Sequence, residues 1–204
     1  MLALPWSRGL VLTGTAVSLR LPRRSDFSAW RNLRIEDRER LQRFEPRWSD
    51  FDLTQAGFSA RVRNAARLAA LGQSFQFLVF ERRSGHLAGG ITLGNLRRGA
   101  AQSGQIGYWI SARFEGKGLM RDAVETVLRH AFTALRLQRI EAASIAANAR
   151  SVALLKRCGF RLEGTARAYL EIDGRRQDHD IYARLSSDPI PAVPARASAC
   201  DEVG

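Results

Sequence analysis

The apolar run Tyr108-Trp-Ile-Ser111 passes into Arg113-x-x-Gly116-x-Gly118, and then into Met120, Val124, Val127, Ala131 and Leu135 at helical spacing. A turn of this composition can cradle phosphate. Gly116 and Gly118 let the backbone approach a ligand with no Cβ in the way. The helix they open offers the amides of Leu119 and Met120, unpaired in its first turn, and the positive end of its dipole. Arg113 and Lys117 add two cations beside those donors, which suits a pyrophosphate with a third phosphate farther out. Coenzyme A carries that set of charges.

Other glycine-rich loops fit less well. A Walker loop needs Gly-Lys-Ser/Thr, and here Gly118 stands where the magnesium-binding hydroxyl belongs. A dinucleotide fold needs a third glycine and an acidic residue about twenty positions on; Glu141 is available, but no third glycine follows. On this fragment alone, a plain strand-to-helix turn accounts for the glycines equally well.

The elements around the loop alternate in type. Ala16 to Leu21 reads as a first strand, and Ser25-Asp26 caps a helix running to about Leu41. Thr54 to Ala70 carries Phe58, Val62, Ala65, Ala66 and Ala69 on one helical face and stops at Gly72. Strands follow at Phe75 to Glu81, Leu87 to Leu96 and Gln105 to Ser111, with a long helix from Lys117. Ile140 to Ala146 is a strand, Asn148 to Arg157 a short helix, and Phe160 to Arg184 a closing pair of strands turning at Asp173-Gly174. The organisation expected is an N-terminal extension over 1–15, one domain over 16–185 and a disordered proline-containing tail over 186–204.

Composition limits the function classes. The chain has 204 residues, 45% hydrophobic and 25% charged, enough for one core. No apolar run reaches the length of a membrane span, and Met1 to Trp6 lacks the basic leader and cleavage site of a signal peptide. With only Cys158 and Cys200, a disulfide framework is not expected and the cytoplasm is the expected compartment. No His and Cys spacing suggests a metal site. The net charge of +12 attracts polyanions, a ribosome among them; the arginines are scattered, so a solubilising surface explains the charge as well.

Over roughly residues 16 to 185 the chain resembles the GCN5-related N-acetyltransferase (GNAT) superfamily, in its ribosomal-protein alanine N-acetyltransferase branch. The resemblance rests on Arg113-x-x-Gly116-x-Gly118 and on Asn148-Ala-Arg-Ser151 followed by Leu154-Leu-Lys-Arg-Cys-Gly-Phe160. Gly107-Tyr-Trp109, Tyr169-Leu-Glu-Ile-Asp-Gly174 and Asp178-His179 narrow it to the branch. It implies an α/β fold in which a central, mostly antiparallel sheet, flanked by helices, splays between its fourth and fifth strands. It implies acetyl-CoA as the acetyl donor, with the pantetheine arm entering the splay. There backbone groups of Trp109, Ile110 and Ser111 would pair with it, and Asn148 and Ser151 would meet its sulfur end.

The same resemblance implies direct attack by an amine, with no acetylated enzyme; Cys158 reads as a packed thiol. Many relatives place an acidic tyrosine where this chain has Leu155, and Ser151 is the substitute acid that the branch suggests. A base is harder to name. The positions near a relative's glutamate are Gln105, Ser111 and Ala112, while Glu115 is expected to face solvent or Arg113. His86 and His130 read as surface or core residues. Glu45, Tyr169 and His179, the last oriented by Asp178, are the candidate substrate contacts.

Near pH 7.5 roughly a third of an α-amine is neutral, against about one lysine in a thousand. A missing carboxylate therefore favours a protein N-terminus, that of a ribosomal protein beginning in Ala or Ser, as the acceptor. A small amine, or a non-catalytic acyl-CoA-binding module associated with the ribosome, is the alternative. A monomer or homodimer is expected.

Overall fold

The protein is described by a computed structural model covering residues 9–189. Its eight strands are β1 (Val11–Thr13), β2 (Val17–Arg20), β3 (Phe75–Glu81), β4 (Leu87–Arg97), β5 (Ser103–Ile110), β6 (Arg139–Ser144), β7 (Arg161–Ile172) and β8 (Arg175–Leu185). They form one sheet in the order β1-β2-β3-β4-β5-β6-β8-β7. Every neighbouring pair is antiparallel except β5 and β6. Five α-helices accompany the sheet: α1 (Phe27–Glu36), α2 (Arg38–Gln42), α3 (Gln55–Ala70), α4 (Leu119–Thr133) and α5 (Ala149–Arg157). A parallel pair needs a crossover, and α4 provides it. The mixed α/β architecture expected from the sequence is the one observed.

The strand pleat divides the core into two layers. Along β3, Phe77 and Val79 join α4 on one side, whereas Leu78 and Phe80 meet α1 and α3 on the other. Helix α4 buries Leu119, Met120, Val124, Val127 and Leu128 against Ile91, Leu93 and Ile106. Each of these larger side chains contributes about 1.5–3 kcal/mol through removal from water. Helix α5 lies on the same side, with Leu155 and Cys158 in the cluster that includes Tyr182. The opposite layer is smaller and built from Trp30, Leu33, Phe58, Leu78 and Leu87, with Trp109 at its margin.

Two differences from the sequence reading bear on the site. The first helix was expected to run on to Leu41, but it breaks at Asp37, whose carboxylate accepts the Ala112 amide at 3.0 Å. An aspartate that bonds a backbone group elsewhere competes with the helix at that point. The second concerns the segment 1–15, which contributes the edge strand β1. In the turn that follows β1, the Asp122 carboxylate accepts the amides of Thr15, Ala16 and Val17 at 3.1, 2.6 and 3.0 Å. A Cβ on Gly14 would come within 2.7 Å of that carboxylate, so only glycine fits there.

Of the tail expected to be disordered, residues 190–204 lie outside the described residues. Ser186 is bonded through its amide to the Gln138 carbonyl at 3.0 Å. Among the described residues, no helix is long and apolar enough to cross a membrane.

Asp122 thus ties the N-terminal turn to the first turn of α4. Asp122→Ala is expected to lower unfolding free energy by about 2 kcal/mol, because three amides lose a charged acceptor. Chemical denaturation checks this; a loss under about 0.5 kcal/mol would show that the clasp contributes little.

Candidate active site

Strands β5 and β6 pair from Ser103↔Arg139 to Ile106↔Ala142 and no farther. Beyond that point β5 keeps only β4 as a neighbour and β6 only β8. The facing edges enclose part of a cavity of about 1510 Å³. Backbone donors and acceptors so exposed need partners, and an amide-bearing chain laid in the gap provides them. The Ser111 amide donates to the Ala88 carbonyl at 2.8 Å. By strand alternation, Trp109 and Ser111 turn their backbone groups to β4, while Tyr108 and Ile110 turn theirs to the gap. This corrects the expected pairing of a ligand with Trp109 and Ser111: their amides are directed to β4, and Ile110 is the residue of the three that faces the gap.

The phosphate loop has the conformation its glycines predict. Gly116 and Gly118 have φ of 73° and 76°, and a Cβ on either would meet nothing within 4 Å. Gly118 caps α4 without a side-chain acceptor, so the first-turn amides stay free for an anion. Gly116, Gly118, Leu119 and Met120 all line the cavity.

The loop's charged residues behave differently from expectation. Arg113 does not line the cavity; it reaches Glu36 of α1 at 2.8 Å and is largely exposed. Lys117 also lies off the wall, with its ammonium 5.0 Å from the centre of the Phe114 ring. Arg40, Arg121 and Arg150 are nearby cations that do line it. Glu115, expected to face solvent or Arg113, is bound by Arg40 of α2 at 2.5 Å and by Arg150 of α5. Arg40 also donates to the Ile110 carbonyl at 2.5 Å. Two cations converge on Glu115 from opposite sides of the loop, and their attraction outweighs that of Arg113.

On the α4 face, Asn148 accepts the Ser151 amide at 3.2 Å and so caps α5. That leaves the Ser151 hydroxyl free of capping. It lies 2.9 Å from the Tyr108 hydroxyl, and both residues line the cavity with Asn148. Burial pushes the Tyr108 phenol above its ordinary range, partly offset by the Ser151 hydrogen bond. A thiolate of ordinary basicity does not take a proton from such a phenol, but it accepts a hydrogen bond from it. The hydroxyl pair can therefore stabilise a leaving thiolate. Tyr108 was not among the sequence candidates; its clue was the strand alternation that puts it on the α5 side.

Trp109, one residue on, belongs to the other face. Its indole passes over Gly90, where a Cβ would lie 2.5 Å from Nε1. The Arg34 guanidinium lies 3.9 Å from the Trp48 ring centre and 5.0 Å from that of Trp109. Arg34 holds both oxygens of Glu45, at 2.9 and 2.5 Å, and the Trp48 indole N–H donates to the same carboxylate at 2.9 Å. Glu45 lines the cavity, but its charge is already matched, which corrects its expected role as a direct partner of an ammonium. The Asp173 amide, at the turn between β7 and β8, reaches the Glu45 carbonyl at 3.2 Å, so the hairpin meets this segment.

His179 lines the cavity and is 3% exposed. Its Nδ1 lies 3.0 Å from the Gln177 carbonyl. Asp178 does not orient it; that carboxylate accepts the Ala168 amide in a bulge of β7. Tyr169 is not on the cavity wall and instead packs its ring edgewise on His179, centres 5.7 Å apart.

Cys158 is fully buried and its thiol is pushed up to about 12, chiefly by burial. It is not an activated nucleophile. Among the described residues, no cluster of His, Cys, Asp and Glu could hold a metal ion. If the glycine cradle holds the donor, Gly116→Val should reduce acetyl-CoA affinity at least tenfold by calorimetry while the fold survives thermal scanning; unchanged affinity would refute the cradle.

Comparison with known proteins identifies the family. Residues 17–161 match the acetyltransferase (GNAT) domain model. The chain is 31% identical over 178 residues to the probable N-acetyltransferase YjcK of Bacillus subtilis, covering 87% of this chain and 98% of that one. It is 32% identical to the ribosomal protein uS5-alanine N-acetyltransferase of Escherichia coli, covering 81% and 87%. The ribosomal-protein-S5-alanine acetyltransferase of Vibrio fischeri superposes with a TM-score of 0.81 at 30% identity, covering 88% and 98%. RimJ of Mycobacterium smegmatis, in complex with CoA-disulfide, superposes with a TM-score of 0.82 at 30% identity over 88% of each chain. With a splayed parallel pair in its sheet and a family match across most of its domain, the chain belongs to the GNAT acetyltransferases and uses acetyl-CoA as its acetyl donor.

Proposed function

We propose that this protein acetylates the N-terminal α-amine of a ribosomal protein that begins in Ala or Ser, in the cytoplasm. The observation that carries the reading is the state of Glu45. Of the two carboxylates on the acceptor wall, Glu45 is held by Arg34 and Trp48 and Asp52 accepts the amide and hydroxyl of Ser49, so neither is poised to strip a proton from a strongly basic amine. An acceptor that is already partly neutral at physiological pH suits such a wall, and an α-amine meets that requirement where a lysine does not. The likeness to acetyltransferases named for ribosomal protein S5 supports the same class of acceptor.

In this reading the gap-facing backbone of Tyr108 and Ile110 aligns the donor's amides, and the first-turn amides of α4 hold its diphosphate. Tyr108 and Ser151 form a hydrogen-bonded pair at the sulfur end and offer a proton-bearing hydroxyl to the charge that develops there. Gly107, over which a Cβ would meet nothing within 4 Å, leaves the acceptor side of the same strand open for an incoming amine.

The test is thiol release from acetyl-CoA with peptides starting in Ala, Ser or Thr, lysine peptides blocked at the N-terminus, and small amines. Turnover on Ala- or Ser-initiated peptides at least tenfold above lysine peptides is expected. The reverse preference sinks the N-terminal assignment, and tight acetyl-CoA binding without turnover on any of them favours a binding module. A second expectation concerns the hydroxyl pair. Tyr108→Phe and Ser151→Ala should each lower kcat by roughly tenfold to a hundredfold, the worth of one hydrogen bond to a charged group. The double variant should be little worse than the weaker single, since the two act as a unit. Rates within twofold of the parent in both would remove the pair from the mechanism.

A further inference from the structure

We infer that His179 is the base that accepts the proton released by the acceptor amine. Ile106, Ala142 and Tyr182 are paired across β5, β6 and β8, and all three lie in the α4-side cluster. By alternation Trp109, three residues beyond Ile106, and His179, three before Tyr182, turn to the opposite face, and both line the cavity. Tyr182 lies in the α4-side cluster and Trp109 in the α1 and α3 cluster, which puts odd-numbered β8 residues, His179 among them, on the acceptor side. The hydroxyls of Tyr108 and Ser151 lie on the other side, where the sulfur leaves.

The ring is prepared for proton transfer. A carbonyl cannot donate, so the contact with Gln177 O fixes the proton on Nδ1 and leaves the Nε2 lone pair. The edgewise Tyr169 ring holds the imidazole plane. Among the described residues no hydrogen bond is made by Nε2, which is not sealed from solvent, and His179 lines the cavity. Of neutral side-chain bases, imidazole lies nearest an α-amine in basicity.

The step balances. The amine nitrogen forms its bond to the thioester carbonyl carbon, and the carbonyl electrons move to oxygen. Nε2 of His179 takes the proton from the cationic nitrogen. The carbonyl re-forms as the C–S bond breaks, leaving an amide and a thiolate hydrogen-bonded by Tyr108 and Ser151. His179 returns its proton to solvent, and the thiolate acquires one from solvent.

This inference rests on the proposed amine acceptor, and its test uses whichever acceptor turns over best, so a different acceptor would overturn the N-terminal reading while leaving the base testable. His179→Ala and His179→Gln are expected to lower kcat a hundredfold or more, with acetyl-CoA affinity within twofold of the parent. Added imidazole should restore part of the His179→Ala rate. Retention of kcat within threefold, or a rise in KM alone, overturns the assignment. Because His179 is buried, a measurement on the unaltered protein stands beside these. The chain has three histidines. The ring nitrogen signal of one should move when CoA is joined through an acetyl bridge to the α-nitrogen of a tripeptide, and should not move with CoA alone. No movement with the joined compound also overturns the proposal.

Discussion

The site depends on a hydrogen-bonding debt in the sheet. Parallel pairing stops at Ile106↔Ala142 although both strands continue, and the backbone beyond that point has no neighbour across the gap. A sheet leaves such groups unpaired only where something else can meet them. The fold keeps the gap open by holding its two sides elsewhere. Strand β5 is paired to β4 as far as Ile110, β6 is paired to β8 as far as Ser144, and Arg40 fixes the Ile110 carbonyl from outside the sheet. The donor can therefore complete the sheet without having to deform it.

The strand pleat then assigns the two halves of the chemistry. Adjacent residues Tyr108 and Trp109 point to opposite faces, one to the α5 side with Ser151 and the other to the wall shared with Arg34 and Trp48. The loop at the end of β5 joins the two. Glu115 is held by Arg40 from the acceptor-side helices and by Arg150 from α5. The charges of the phosphate loop that look most available in sequence thus serve partly to fix its shape.

Much of this was legible in the chain. The strand Phe75–Glu81, the helix ending at Ala70 and the turn at Asp173-Gly174 follow from period and turn chemistry, and all are present. Gly116 and Gly118 were legible for the same reason, since positive φ is a local requirement that only the residue itself can meet. What sequence could not give was the partner of each charge. Arg113 meets Glu36 and Glu45 meets Arg34, pairings set by how α1 packs on the sheet. Tyr108 was quoted as part of a motif, but its role depends on a hydroxyl 43 residues away. The break at Asp37 was hidden likewise, because its acceptor role is satisfied by Ala112 in the far half of the chain.

The division of labour along β5 has a consequence for how such a protein can diversify. In the proposed reading, donor contacts come from backbone and from one side of the pleat. The proposed acceptor wall is assembled from residues 44–48, which the turn at Asp173 buttresses, and from His179 of β8. Substitutions in that wall change neither the glycine cradle nor the hydroxyl pair. New acceptors can therefore be sampled through a few cavity-lining positions while the costly part of the reaction, holding and polarising the thioester, is inherited intact.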